Sequence, residues 1–289
     1  MKVGAIEAGG TKFVLAIGDE NGNVLEKVSI PTTTPEETFE GIYQFFDGKE
    51  FESIGVGTFG PIDLNPLSPT YGYITKTPKP GWSDCEFVGR LERRYHVPVA
   101  FDTDVNGAAL GEVTYGAAKG INSCIYLTIG TGIGGGAIVE GKLVHGMLHP
   151  EMGHIKLIPH PKETYKGCCP FHDYCFEGLA SGPAIEKRFN EKAYNLPKDH
   201  EAWAMEGYYI GQALCNYILT LSPQKIILGG GVMHQTQVFP YIYSTVRETL
   251  NGYVQTKEIL EDIENYIVLP GCGDEAGIKG AIALALQVL

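Results

Sequence analysis

The sequence predicts an α/β protein made of two similar domains that face each other. A pattern of strand, glycine turn, strand, tight turn and strand occurs twice, about 120 residues apart. Predicted helices follow each copy, and strands that alternate with helices are typical of an α/β fold. The chain has 289 residues, which is enough for roughly two domains of about 150 residues each.

The first copy of the repeat begins at the N-terminus. Apolar residues 3–8 predict a strand, residues 13–17 predict the next, and between them stand Gly9, Gly10, Thr11 and Lys12. A glycine pair lets the backbone turn tightly and brings N–H groups within reach of phosphate oxygens. Thr11 adds a hydroxyl donor. On this motif alone, a plain hairpin turn remains the simpler interpretation.

Helices and one further strand complete the first half. Thr34 to Glu37 form a capping box with Pro35 at the first helical position. Ser83 and Glu86 suggest a second capping box, before a helix that reaches Tyr95. Residues 98–101 are a short apolar run and predict a buried strand, and a helix is expected over residues 105–115.

Polar residues lie where that strand meets the helix, at Asp102, Thr103 and Asp104. Open α/β sheets place their ligands at the carboxyl ends of strands, where an Asp can accept a proton from a hydroxyl group. Asp is also a common residue at the N-cap of a helix. Position alone therefore favours the cap for Asp104 and leaves the catalytic role open.

The second copy of the repeat is richer in glycine. Residues 130–136 contain five glycines in seven positions, more than a hairpin requires, whereas a backbone that approaches a ligand closely does require them. Taken with the first turn, this segment predicts phosphate binding. It is not a Walker motif, because no Gly-Lys-Ser/Thr closes a helix-forming loop.

The rest of the second half predicts a helix over about 200–221, strands at 225–228 and 267–269, and a last helix over about 275–287. Gly230 and Gly231 follow the first of these strands. They are equally consistent with a surface for adenine or ribose and with a plain strand-to-helix turn. Residues 149–174 show little periodicity and predict an ordered loop.

A group of potential metal ligands lies in and just beyond that loop. Cys169, His172 and Cys175 stand at three-residue spacing, and His154 would complete a set of two sulfurs and two nitrogens. Four protein ligands predict a closed, structural zinc site rather than one that activates water. Cys168, next to Cys169, is a further potential ligand. The four remaining cysteines are interpreted as small buried residues: Cys85, Cys124, Cys215 and Cys272.

Composition excludes several classes of function. The formal net charge is -12 and no basic cluster is longer than Arg93–Arg94, so no nucleic-acid partner is expected. No run of about 20 apolar residues predicts a membrane span. The N-terminus lacks the pattern of a signal peptide, and we expect a cytoplasmic protein.

These motifs, in this order, resemble the ROK family of sugar kinases and sugar-responsive repressors over essentially the whole chain. The resemblance is carried by residues 7–12, 57–63, 104–112, 128–136 and 151–154, together with the cysteine loop. It implies an actin/hexokinase-like fold of two ribonuclease-H-like domains, with the active site in the cleft between them. The implied domains are 1–116, onto which the last helix (274–289) packs back, and 117–273, which contains a zinc-binding loop at 149–177.

The resemblance also implies a role for individual residues. Asp104 is the expected catalytic base, and Mg2+ accompanies ATP. The expected nucleotide-binding residues are Gly9, Gly10, Thr11, Lys12, Gly130, Thr131, Gly132, Gly134, Pro183, Gly230 and Gly231. The expected sugar-binding residues are Gly60, Pro61, Thr103, Asp104, Glu151, His154 and Glu177. The expected structural zinc ligands are His154, Cys169, His172 and Cys175.

Two departures from the family pattern point to one of its branches. Glu7 stands where the superfamily usually has an Asp that helps to hold Mg2+ through water, and His172 replaces a usual Cys. With residues 178–184, these changes resemble the fructokinase branch, which implies ATP-dependent phosphorylation of fructose at its 6-hydroxyl. The alternatives are another hexose, such as mannose or glucose, and a sugar-sensing regulator without a DNA-binding domain. A homodimer is expected from the family.

Overall fold

The first of two mixed sheets holds most of the N-terminal strands. The computed structural model describes all 289 residues. The strands of this sheet are β1 (Lys2–Ala8), β2 (Lys12–Asp19), β3 (Val24–Pro31), β4 (Ile54–Thr58) and β7 (Val99–Thr103). Their spatial order is β3-β2-β1-β4-β7. The first three pair antiparallel, and β4 and β7 extend the sheet in parallel.

The second sheet repeats this arrangement. Its strands are β8 (Cys124–Ile129), β9 (Ile133–Val139), β10 (Lys142–Leu143), β11 (Lys225–Gly229) and β12 (Ile267–Val268). Their order is β10-β9-β8-β11-β12, again with three antiparallel strands followed by two parallel ones. Because β8 corresponds to β1, the two glycine turns occupy equivalent places. The predicted duplication is confirmed.

A small hairpin and ten α-helices complete the chain. The hairpin consists of β5 (Tyr73–Ile74) and β6 (Cys85–Glu86). The helices are α1 (Pro35–Phe46), α2 (Val88–Tyr95), α3 (Asp104–Tyr115), α4 (Phe176–Ala180), α5 (Gly182–Phe189), α6 (Ala202–Leu221), α7 (Phe239–Leu250), α8 (Lys257–Leu260), α9 (Ile263–Tyr266) and α10 (Ala276–Leu286). No helix has the length and apolar character that crossing a membrane requires.

Of the two predicted capping boxes, one is confirmed and one is wrong. Thr34 caps α1 by accepting a hydrogen bond from the backbone N–H of Glu37 at 3.3 Å. Ser83 caps nothing, because its hydroxyl donates to the carbonyl oxygen of Thr77 at 3.0 Å. Glu86 lies in β6 and binds Arg93 through both carboxylate oxygens. The helix that follows begins only at Val88.

Helices α3 and α10 pack against each other, and α10 contacts β1 and β4 of the first sheet, as the resemblance implies for the last helix. The chain crosses between the sheets near residue 116 and returns near residue 272. The fully buried carboxylate of Glu112 accepts hydrogen bonds from the N–H groups of Ala117, Gly271 and Cys272 at 2.7, 2.8 and 2.8 Å. The Glu112 carboxylate thereby connects the two segments that pass between the sheets. We propose that the domain boundaries lie in these two segments, near residues 116 and 272.

Candidate active site

A cavity of ≈ 320 Å³ separates the two halves of the molecule at the central strands. Its lining includes Glu7 from β1, Thr128 from β8, Gly230 after β11 and Gly277 from α10. Since these residues come from both sheets and from the returning helix, the cavity is part of an interdomain cleft. Among the predicted nucleotide-binding residues, Gly230 is the one in the lining of this cavity.

The first glycine turn joins β1 to β2, and its tip is exposed. The N–H of Gly9 donates to the carbonyl oxygen of Lys12 at 3.1 Å, and the hydroxyl of Thr32 donates to the carbonyl oxygen of Gly9 at 2.7 Å. These bonds fix the base of the turn. An added Cβ at Gly10 would meet nothing within 4 Å, so the tip is accessible to a ligand. The same turn can therefore both connect the hairpin of β1 and β2 and bind phosphate.

The second glycine turn borders a cavity of ≈ 440 Å³. Four predicted nucleotide-binding residues line it together, although they come from three separate segments: Gly130, Thr131, Pro183 and Gly231. The N–H of Gly182 donates to the carbonyl oxygen of Gly130 at 2.7 Å and holds the start of α5 against the turn. Backbone, Pro183 and the aromatic ring of Tyr194 give this cavity the flat surfaces that suit a nucleoside.

The remaining glycines of this run have a structural reason that the sequence analysis missed. Gly134 and Gly136 lie in β9, where the strand runs against the start of α3. A Cβ at Gly136 would stand 2.2 Å from the carbonyl oxygen of Val105, and one at Gly134 would stand 3.0 Å from the Val105 side chain. Part of the glycine excess therefore serves close packing between strand and helix. Nucleotide contact remains a prediction for Gly134, and also for Gly132, which lies in the turn itself.

Asp104 is the first residue of α3, and the cap predicted for it belongs to its neighbour. Thr103 has an extended backbone, and its hydroxyl accepts a hydrogen bond from the N–H of Asn106 at 3.1 Å. The Asp104 carboxylate accepts one from the N–H of Val105 at 2.9 Å. Asp104 is thus held at a helix N-terminus without serving as the cap, which leaves its carboxylate available for chemistry.

The surroundings of Asp104 alter its acidity. Burial raises the pKa of Asp104 to about 7, the hydrogen bond from Val105 opposes this rise, and the nearby carboxylates of Glu7 and Glu151 add to it. A base whose pKa lies near neutral pH combines a useful deprotonated fraction with a strong affinity for a proton. The sequence predicted the position of this carboxylate and could not predict its pKa.

The predicted sugar-binding residues approach one another through His149, which the sequence analysis did not single out. The buried His149 ring lies 3.1 Å from the place a Cβ would take at Gly60, beside Pro61. Its Nε2 accepts the N–H of Ile62 at 3.3 Å, and its Nδ1 lies 3.5 Å from Oε1 of Glu151. His149 thus links the Gly60–Pro61 turn of one half to the Glu151 loop of the other.

Glu177 lies at the opposite end of this region, at the start of α4. Its Oε2 accepts a hydrogen bond from the N–H of Ile133 at 2.9 Å, next to the second glycine turn. An added Cβ at Gly132 would lie 2.8 Å from the same oxygen. Glu177 is therefore tied to the base of the nucleotide turn, and the sugar contact expected for it remains a prediction.

Four residues form the candidate metal centre. The potential ligand atoms of His154, Cys169, His172 and Cys175 all lie within 4.8 Å of one another. Sulfur and nitrogen are 3.6 Å apart for Cys169–His172 and 3.8 and 3.9 Å apart for the two cysteines with His154. Tetrahedral zinc with its usual bond lengths would separate such atoms by about 3.6 Å. The donor set therefore fits that ion.

Cys168 lies outside this cluster. Its sulfur is 3.5 Å from the Ser181 hydroxyl instead. The four remaining cysteines are free and buried, as predicted. Within the cluster, the Cys175 sulfur accepts the N–H of Gly178 at 3.3 Å, so one ligand is fixed at the start of α4, two residues before Glu177.

Glu7 lies against the first turn of α10, which packs on β1. A Cβ at Gly277 would stand 2.4 Å from its carboxyl carbon, so the longer side chain reaches the first turn of that helix. Burial raises the pKa of Glu7, while Lys12 and Lys27 oppose the rise.

Comparisons with known proteins agree with this arrangement. The model of the ROK family matches residues 3–288. The fructokinase of Pediococcus pentosaceus is 47% identical over 289 residues, 100% of this chain and 99% of that protein. The fructokinase of Streptococcus mutans serotype c is 43% identical over 293 residues, with coverage of 99% and 97%. The crystal structure of the ROK hexokinase from Thermus thermophilus superposes with a TM-score of 0.82 at 29% identity, covering 100% of this chain and 99% of that one.

Proposed function

The chain belongs to the ROK family, and we propose that it transfers the γ-phosphoryl group of ATP to the 6-hydroxyl of fructose, giving fructose 6-phosphate and ADP. One observation carries the proposal: a partly buried carboxylate with a pKa of about 7, Asp104, lies at a strand end near Glu7, which lines the cavity between the two halves. Fructose is favoured among hexoses because full-length relatives at 43–47% identity are fructokinases.

The two halves of the molecule bind different parts of the nucleotide. The nucleoside occupies the cavity bordered by Thr131, Pro183 and Gly231, and its phosphates extend across the cleft towards the Gly9–Gly10 turn. Backbone N–H groups at the turns bind the phosphate oxygens without help from the net charge of the chain. Phosphoryl transfer depends mainly on positioning and on neutralising charge. Mg2+ bound with ATP supplies part of that neutralisation.

Asp104 accepts the proton of the attacking hydroxyl. Thr103 and the first turn of α3 fix its backbone, and Glu151, Glu177 and the Gly60–Pro61 turn hold the sugar beside it. When bound, zinc joins the segments that carry His154 and Cys175 and so keeps Glu151 and Glu177 in place. Domain closure excludes water and limits hydrolysis of ATP.

The pKa of Asp104 predicts the pH dependence of the reaction. As a base it acts in the deprotonated form, and that fraction falls as pH drops below about 7. We therefore expect kcat/KM for fructose to fall by about tenfold per pH unit well below pH 7 and to level off above it. Initial rates between pH 5.5 and 8.5 at saturating Mg-ATP measure this. A profile that stays flat down to pH 5.5 would contradict the base assignment.

The choice of sugar is tested by steady-state rates over a panel of hexoses. In a coupled assay of ADP release, fructose should give the highest kcat/KM, with mannose and glucose lower because a site built for one set of hydroxyls leaves polar groups unpaired with another. Glucose or mannose exceeding fructose would overturn the specificity. Hexose binding without any turnover would favour a sugar-sensing regulator. The homodimer expected from the family remains a prediction.

A further inference from the structure

We propose that Lys79 is a phosphate-binding residue whose ammonium group contacts the terminal phosphoryl group of the nucleotide. The inference rests on the function proposed above, and it concerns a residue that neither the sequence motifs nor the resemblance singled out. The Nζ atom of Lys79 is in hydrogen-bond contact with the carbonyl oxygen of Gly10, at the tip of the first glycine turn. The two residues are 69 positions apart in the chain.

The backbone of Lys79 is held by a rigid turn. Its carbonyl oxygen accepts the N–H of Trp82 at 3.1 Å, and Gly81 takes a φ of +80° that L side chains rarely adopt. Trp82 is fully buried, and its indole N–H donates to the carbonyl oxygen of Thr33 at 2.9 Å. This anchor fixes the base of the lysine side chain and leaves its flexible end over the glycine turn.

The Trp82 anchor is itself part of the core of the first domain. Its ring lies 5.4 Å from that of Phe13, which is in β2 directly after the glycine turn, and 5.6 Å from that of Phe59, which follows β4. The turn that carries Lys79 and the turn that carries Gly10 therefore share one hydrophobic support. Their relative position is determined by packing and not by the lysine contact alone.

The charges around the turn explain why a cation is needed there. The protein has a net charge of -12, and Glu7 and Asp104 bring carboxyl groups to the same cleft. Lys12, at the start of β2, and Lys27 are close enough to Glu7 to oppose the rise of its pKa. A neutral carbonyl oxygen is a weaker partner for an ammonium group than a phosphate oxygen, because the phosphate oxygen carries negative charge and adds Coulomb attraction to the hydrogen bond. The contact with Gly10 is thus one that an incoming phosphate would replace.

The geometry also indicates which phosphate is contacted. The nucleoside cavity belongs to the second half of the molecule, at Thr131 and Pro183, and Gly10 belongs to the first half. A nucleotide that spans the cleft presents its last phosphate to the first glycine turn. ADP, which lacks that group, would not reach Lys79, so the lysine should distinguish ATP from ADP.

Replacing the lysine by methionine tests this directly. For Lys79→Met we expect kcat/KM for ATP to fall by about 10- to 100-fold, the range of a hydrogen bond to a charged group, with binding of ADP changed by less than about twofold. Lys79→Arg should recover part of the loss because it keeps the charge. Lys76→Met, in the same segment with its ammonium near Asp84, is the matched control and should match the wild type.

The contact between Lys79 and Gly10 has two explanations: Lys79 binds the terminal phosphate of the nucleotide, or it only fixes its own loop to the glycine turn. Calorimetric titrations with ADP and with a non-hydrolysable ATP analogue distinguish them. If Lys79 only pins the loop to the turn, Lys79→Met weakens both nucleotides equally or neither, and the proposal is overturned. If the wild type binds the analogue but phosphorylates no hexose, the proposed function fails, while the difference between analogue and ADP still decides the role of Lys79.

Discussion

Asp104→Asn should lower kcat for fructose phosphorylation by at least about 10²-fold while fructose and ATP still bind. The asparagine side chain has nearly the same size and can accept the same hydrogen bond from the N–H of Val105, but it cannot take a proton from the hydroxyl. Because Thr103 supplies the cap of α3, the helix should keep its start. The measurement is steady-state kinetics with titration of fructose binding on the same preparation.

Two controls separate loss of the base from loss of structure. Asp199→Asn removes an exposed carboxylate and should leave kcat unchanged. The melting temperature of Asp104→Asn should be no lower than that of the wild type, because removing a buried charge relieves a desolvation penalty. Turnover by Asp104→Asn within about threefold of the wild type would eliminate Asp104 as the base.

Removing zinc is expected to have the second largest effect. Cys175→Ser replaces the ligand that also fixes the start of α4, two residues before Glu177. We expect loss of the bound metal, a lower melting temperature and a fall in kcat/KM for fructose of at least about 10- to 100-fold. The KM for fructose should rise more than the KM for ATP, because the metal supports the segments that carry Glu151 and Glu177.

Cys168→Ser is the matched control for this variant, since the Cys168 sulfur lies beside Ser181 and outside the metal cluster. It should retain metal and activity. Metal analysis by mass spectrometry and thermal melts in the presence of a chelator complete the comparison. A Cys175→Ser protein that keeps its zinc content, or a chelated wild type with unchanged melting temperature and activity, would refute a structural metal in this loop.

The duplicated fold was predictable because its signals are local. A hairpin built around a glycine turn has a clear apolar pattern, and the same pattern recurs in β1–β2 and β8–β9. The cap of α3 was assigned to the wrong residue because Thr103 and Asp104 are both common N-cap residues, and only the backbone shows which of them is already helical. The capping box predicted at Ser83 and Glu86 was wrong for a related reason, since pairing between β5 and β6 places Glu86 in a strand.

Contacts between segments that are distant in the chain could not be predicted from the sequence. Glu112 stood inside a recognised motif, yet two of its three partners, Gly271 and Cys272, are 159 and 160 residues away at the second interdomain crossing. The same holds for His149, which contacts Ile62, and for Lys79, which contacts Gly10. A polar residue that completes a site from another segment has no periodic pattern of its own, so its partner appears only when the fold is known.

The position of the phosphate on the product tests the central proposal most directly. Purified protein is incubated with Mg-ATP and uniformly 13C-labelled fructose, and the product is examined by 31P and 13C NMR. The proposed arrangement, with the sugar 6-hydroxyl beside Asp104 and the terminal phosphate across the cleft, predicts fructose 6-phosphate and one ADP for each sugar consumed. Fructose 1-phosphate, or ADP formed with inorganic phosphate and no sugar phosphate, would contradict it.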